Sequence, residues 1–443
     1  MAILHPNPTE EKVATPNATS TRRLASLDAL RGFDMFWILG VDSLVYALDR
    51  MTQNGFTNFL KRQLSHSDWE GFRFYDLIFP LFVFMVGVSL VISLRKTIAQ
   101  EGRACAVQRI FRRSILLFIL GIVYFGGLSN PWPGVRLSGV LQRIALVYFF
   151  AGLMFCFCRT RLLVGVFVAL LAGYWAMMAL IPIRDIQLEK NSLAALAAKA
   201  GDNKLAAQFR NSGRPAPINP SAIPNSPVWA AAEKMYYSTT NRVTGKFEKG
   251  YNVACHFDFA HLPGWKWELF WDPENILSTI PAIASCLLGV FAGLLLTNTS
   301  ITDLKKVTWL LGVGAAASIL GWLWGLEFPV VKRMWTSSFV LVAGGYSSML
   351  LGAFYLIVDV WKKQTWCQPF VWIGMNSITL YLAENVLGGF DTLGQRFAGG
   401  NIKAFFDTRV ANGFGQLVIS VVGLLLAFWF AHFLHKRKVF LRL

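Results

Sequence analysis

His66 and Asp76, ten residues apart in QLSHSDWEGFRFYD, are the pair in this sequence best suited to moving a proton or attacking a carbonyl. An imidazole titrates near neutrality, and a carboxylate beside it fixes the ring tautomer and stabilises the charged form. A lone loop histidine is more often a solvated surface residue, but Trp69 and Asp76 set this one apart. The histidines at 5, 256, 261, 432 and 435 have no such neighbour.

Further polar groups stand inside apolar runs, where a charge costs a few kcal/mol unless it lies near an end. The run LDALRGFDMFWILGVDSLVYAL carries Asp28, Arg31, Asp34 and Asp42. Asp28 and Arg31 are three apart and can pair on one helix face, so a structural ion pair explains them as well as chemistry does. Gln142, Arg143, Lys332 and Glu384 fall toward the same side as Asp76, where mutual pairing is the default for buried charges. Asn376, in the middle of its run, needs no more than a hydrogen bond between helices.

The elements that must position these groups are membrane helices. Of 443 residues, 54% are hydrophobic and 15% charged, which excludes a disordered chain or an ordinary soluble protein. Apolar runs near the membrane-spanning length recur at 29–48, 73–94, 110–127, 137–157, 162–182, 276–297, 305–325, 335–360, 367–388 and 414–434. The fold expected is an all-α membrane protein of about ten transmembrane helices with one large insertion on the extracytoplasmic side. The net charge of +17 sits in short basic clusters between alternate spans, the pattern of membrane orientation and not of a nucleic-acid face. Both termini are then cytoplasmic.

The expected divisions are a cytoplasmic tail at 1–23, helices one to five with the His66 loop at 24–182, the insertion at 183–275, and helices six to ten at 276–443. The tail lacks the apolar core of a signal peptide. In the insertion, Trp265, Trp267 and Trp271 suit either an interfacial anchor or a ligand platform. No internal repeat and no Gly- or Pro-broken helix pair, the marks of a secondary transporter, is legible. Six cysteines without a CxxC pair support neither a disulfide framework nor a metal site.

RLASLDALRGFDM, SHSDWEGFRFYDLIFPLFVFMVG, SGVLQRIALVYF, FWDPENILSTIPAIASCLLGVFAG, FPVVKRMWTSSFVL and WIGMNSITLYLAEN occur in this order. Together they resemble the successive motifs of the heparan-α-glucosaminide N-acetyltransferase family, including its bacterial NagX-like members. The resemblance implies a transmembrane acyltransferase that takes acetyl from cytoplasmic acetyl-CoA and places it on the amine of a terminal glucosamine across the membrane. It puts His66 at the catalytic histidine and Asp76 at the acidic residue that follows. Asp42, counted with the catalytic group, falls where the lysosomal enzyme carries an asparagine. Gln142, Arg143, Lys332, Trp335, Asn376 and Glu384, all within these motifs or beside them, become candidate substrate contacts. Asp28, Arg31, Arg109, Arg112 and Arg113 become candidates for holding acetyl-CoA, although orientation of the membrane helices explains the basic ones equally. The partners expected are an amino sugar or saccharide end and the lipid bilayer, with no nucleic acid and no metal; a homodimer is left open. The location expected is a bacterial inner membrane. An amino-sugar transporter is the rival reading, since ten spans with midplane charges also suit solute transport, and a flippase-like or assembly protein without catalysis is a third.

Overall fold

The computed structural model describes residues 24–129, 131–212 and 226–441, so the expected tail and the Pro-rich 213–225 stretch lie outside the described residues. In a lipid core each backbone N–H and C=O must be satisfied within the chain, so apolar runs of this length become helices. Seven helices among the described residues are long and apolar enough to cross a membrane. Phe74–Tyr124 is continuous in hydrogen bonding but turns at Gly102, whose φ of 88° a side chain rarely tolerates, so it supplies both the second and the third expected span.

Two expected spans are interrupted. The first consists of Ala25–Phe36, a wide turn at Trp37–Val41 and Asp42–Thr52, with non-helical angles at Leu39 and at Gly40, where φ is 106°. The ninth breaks at Asn376 between Gln368–Met375 and Ser377–Leu387. The expectation of no Gly- or Pro-broken helix is therefore corrected at Gly40, while the second break falls at an asparagine. Apolar residues flank both breaks, and an average over twenty residues does not register one peptide leaving the helix.

Small residues bring the two halves of the chain into backbone contact. A Cβ on Gly289 would lie 1.9 Å from the Phe84 carbonyl oxygen, and one on Gly374 would lie 1.9 Å from that of Asp28. Helix Thr279–Leu296 thus packs directly against the second span, and Gln368–Met375 against the first, the close approach that small residues allow where lipid gives helices no hydrophobic reason to associate.

Between Leu180 and Thr279 the chain builds a small body with its own core. Strand Ile183–Arg184 pairs with Arg242–Val243, and Phe247–Glu248 with Tyr251–Asn252, both antiparallel. Helices Lys190–Lys199, Asn203–Asn211, Pro227–Ser238 and Val253–His261 surround a cluster of Trp229, Phe259, Phe270, Trp265 and Trp271. Trp265 and Trp271 are buried core residues here, neither anchor nor platform, whereas Trp267 stays partly exposed. Asp258 fastens the end of this body to the next span, accepting from the backbone N–H groups of Asp272 and Ile276.

Candidate active site

The loop before Phe74 is held by the helix it opens. Asp76 stands at the third position of that helix, where its carboxylate accepts the backbone N–H of Arg73 at 3.1 Å and that of Ser67 at 3.1 Å. The same fully buried carboxylate lies 3.0 Å from His66 Nδ1. Arg73 clasps the loop from the other side, donating to the Ser65 hydroxyl and to the His66 carbonyl. Tyr75 lies against the imidazole, ring centres 4.9 Å apart.

A carboxylate can only accept, so the tautomer favoured by the Asp76 contact carries its proton on Nδ1 and keeps the lone pair on Nε2, 3.5 Å from Lys332 Nζ. The side chain of His66 is 47% exposed, which leaves that nitrogen open to a ligand. Lys332 comes from a loop 266 positions away: Nζ is 3.0 Å from His66 Nδ1 and 3.5 Å from Asp76 Oδ1. Two loops meet to make this contact, through an isolated bridge between Glu70 and Val331 and the bond from Gly71 N–H to the Val330 carbonyl. Burial pushes the His66 imidazole below its ordinary value; the Asp76 hydrogen bond opposes this, and the Lys332 ammonium adds to it. Burial also lowers Lys332, with Asp76 opposing.

This arrangement gives Lys332 a readable electrostatic role. Lys332→Met removes a cation that favours neutral imidazole, so the His66 value should rise and the acid limb of a pH–rate profile should move to higher pH. An acid limb that stays in place or moves down would remove Lys332 from that role.

Below the loop, Arg143 is buried with its guanidinium 4.8 Å from the Trp335 ring centre. It donates to the Ser278 hydroxyl, while Trp335 Nε1 donates to Ser285 Oγ at 3.0 Å. Gln142, equally buried, packs against Gly121 and Gly139 with both amide atoms unpartnered in the structure. Asp42 and Glu384 form a separate group, within electrostatic reach of Tyr75 and of Asp391, whose carboxylate packs near the Gly40 break.

The residues expected to hold the donor separate. Arg31 and Arg113 line one cavity of 140 Å³, together with Ser89, Tyr148 and Asn376. Arg31 donates to Ser89 at 2.7 Å and lies 3.6 Å from Asp28. Three buried polar atoms there have no hydrogen-bond partner: Tyr148 Oη, Asn376 Oδ1 and Arg113 Nε. Arg109 and Arg112 line a different cleft, with Thr97 and Glu101. Asn376, a candidate substrate contact by its motif, thus faces the Arg31 cavity and not His66. Tyr148, Ser89 and Arg73 were missed. A tyrosine amid an apolar run and an arginine three residues before a helix-opening Asp were the available signals.

Residues 23–196 match the family model described as heparan-alpha-glucosaminide N-acetyltransferase, catalytic. The chain is also similar to the mouse protein named heparan-alpha-glucosaminide N-acetyltransferase, 25% identical over 415 residues, which are 85% of this chain and 56% of that one. The human protein of the same name is 28% identical over 345 residues, 73% of this chain and 49% of the relative. The chain spans about half the length of the curated relatives it matches. The motif order, the match over residues 23–196 and both relatives agree in making this chain similar to the heparan-alpha-glucosaminide N-acetyltransferase family.

Proposed function

We propose that this protein transfers acetyl from acetyl-CoA to the amine of a glucosamine-like sugar, the donor entering from the cytoplasmic side and the acceptor from the other. The observation that carries the reading is the half-exposed imidazole whose Nδ1 is held by the buried Asp76 carboxylate. The relatives' names give the acyl group and the class of amine.

The chemistry of the Arg31 cavity, of 140 Å³, supports a role for its residues toward part of the donor. The Arg31 cavity offers unpartnered polar atoms to an amide-bearing arm, and Arg31 and Arg113 offer positive charge to phosphates. Phe82, on the cavity wall, is six residues beyond Asp76, about 9 Å along the helix at a rise of about 1.5 Å per residue. A thioester on a long arm bridges that distance. Two routes use the Nε2 lone pair. In direct transfer, Nε2 takes the proton of the attacking amine as the N–C bond forms and the C–S bond breaks, then returns it to the leaving thiolate. In the two-step route, Nε2 attacks the thioester carbon as the C–S bond breaks and CoA leaves as the thiolate; the amine then attacks the acetyl carbon, the Nε2–C bond breaks, and the amine's surplus proton passes by way of the freed Nε2 to the thiolate. In both, Asp76 steadies the positive imidazole.

The interrupted helices are a feature that a transporter would share. The imidazole–carboxylate pair and the relatives' names favour the enzyme over it.

The test uses vesicles of native orientation with labelled acetyl-CoA sealed inside and glucosamine outside. Label should appear on the external sugar; label found only when donor and sugar share a compartment would end the transmembrane scheme. With no amine present, label retained on histidine identifies the two-step route.

A further inference from the structure

A second cleft, of 410 Å³, opens between the helices of the insertion and the segment that leads back to the membrane. Glu189, Lys190, Asn191, Lys249 and Glu268 line it together with Trp267 and the almost fully buried Trp271. Its charged groups are fixed before any ligand arrives. Lys249 Nζ is 3.0 Å from Glu189 and 3.9 Å from Glu268, and Glu268 pairs with Arg333 at 2.8 Å. Trp267 is 37% exposed.

Two structural links join this cleft to the imidazole. Arg333 follows Lys332 directly in the chain and acts electrostatically on His66. Trp271 meets Trp69 edge-on at 5.7 Å, three residues past His66, and Trp69 Nε1 donates to the Phe247 carbonyl of the insertion. These contacts place the cleft beside the His66 loop.

We infer that the cleft binds the sugar unit attached to the one whose amine reacts, so that the preferred acceptor is the end of a short saccharide and not a free monosaccharide. This rests on the amino-sugar reading of the His66 site. A pyranose has an apolar face of C–H groups and a rim of hydroxyls. A partly exposed indole covers such a face, while carboxylates and an amide meet adjacent hydroxyls with paired acceptors or with an acceptor and a donor. The volume falls within the range of about 300–1,000 Å³ common for small-molecule sites. Lys249 and Arg333 are each engaged by a carboxylate and Lys190 adds one further cation to the lining, so the charged rim offers hydroxyls both acceptors and donors. Lys249, Trp267 and Glu268 lie beyond the residues that the family model matches.

The experiment compares glucosamine with a glucosamine disaccharide as acceptor for the purified full chain. The expected result is a kcat/KM for the disaccharide at least about tenfold higher, carried by KM, with the ratio falling to about one in Trp267→Ala. Glu189→Gln, isosteric and at the rim, should lower the ratio without the packing loss of a tryptophan. Equal kcat/KM for both acceptors in the wild type would overturn the subsite and leave the acetyltransferase intact. Calorimetry on His66→Ala gives a readout without turnover. Disaccharide binding that weakens in the double variant with Trp267→Ala supports the cleft even if the transfer reaction proves different, and binding indifferent to Trp267 overturns it.

Discussion

His66→Ala is expected to lower kcat/KM for acetyl transfer by at least about a thousandfold, because the lone pair that serves either route disappears. Thermal stability should barely change. The side chain is 47% exposed, and its contacts are with Tyr75, Asp76 and Lys332, so little packing is lost with the ring. Asp76 also keeps its backbone donors and Lys332 in the variant, so no buried charge is stranded. Steady-state rates alongside a thermal melt separate the two effects. Turnover at the wild-type level with glucosamine would sink the catalytic assignment.

Asp76→Asn is expected to cost between about tenfold and ten-thousandfold in kcat/KM, through the tautomer more than through lost charge. The carboxylate accepts from three directions: His66 Nδ1, Ser67 N–H and Arg73 N–H. An amide has one accepting oxygen. If that oxygen keeps the backbone donors, its NH2 faces Nδ1 and donates to it, which moves the ring proton to Nε2 and removes the lone pair from the reacting side. Some stability is lost as well, since the helix start depends on the same carboxylate. The discriminating measurement is the kinetic loss set against the melting temperature. Full activity in a destabilised Asp76→Asn protein would make this residue a helix cap and nothing more.

His66 and Asp76 were legible in the sequence because their partnership is local: ten residues, one loop and a helix start. Lys332 stood out as a charge in an apolar region, but its contact with the imidazole depends on two loops 266 positions apart pairing through Glu70 and Val331. No periodicity encodes that. The apolar runs gave the membrane helices because lipid forces each such run to satisfy its own backbone. They hid the breaks at Gly40 and Asn376, where hydropathy stays high while the helix stops. The five candidate donor contacts were grouped by charge alone. Arg109 and Arg112 proved to face another cleft, because basic residues at the ends of membrane helices answer first to orientation and only then to a ligand.

Lys332 and Trp335 are the two ends of one tight turn, closed by the bond from Trp335 N–H to the Lys332 carbonyl at 2.9 Å and by Thr336 N–H to Val331 at 3.2 Å. Trp335 adopts a φ of 52°, a left-handed conformation that costs a side-chain-bearing residue about 1–2 kcal/mol and persists because the buried indole is locked between Arg143, Phe79 and Ser285. The turn therefore ties two environments together. One end is anchored among the membrane helices through Arg143, Phe79 and Ser285, and the other places the Lys332 ammonium where it acts on the imidazole, so a change in packing around the indole is felt as a change in charge placement at His66.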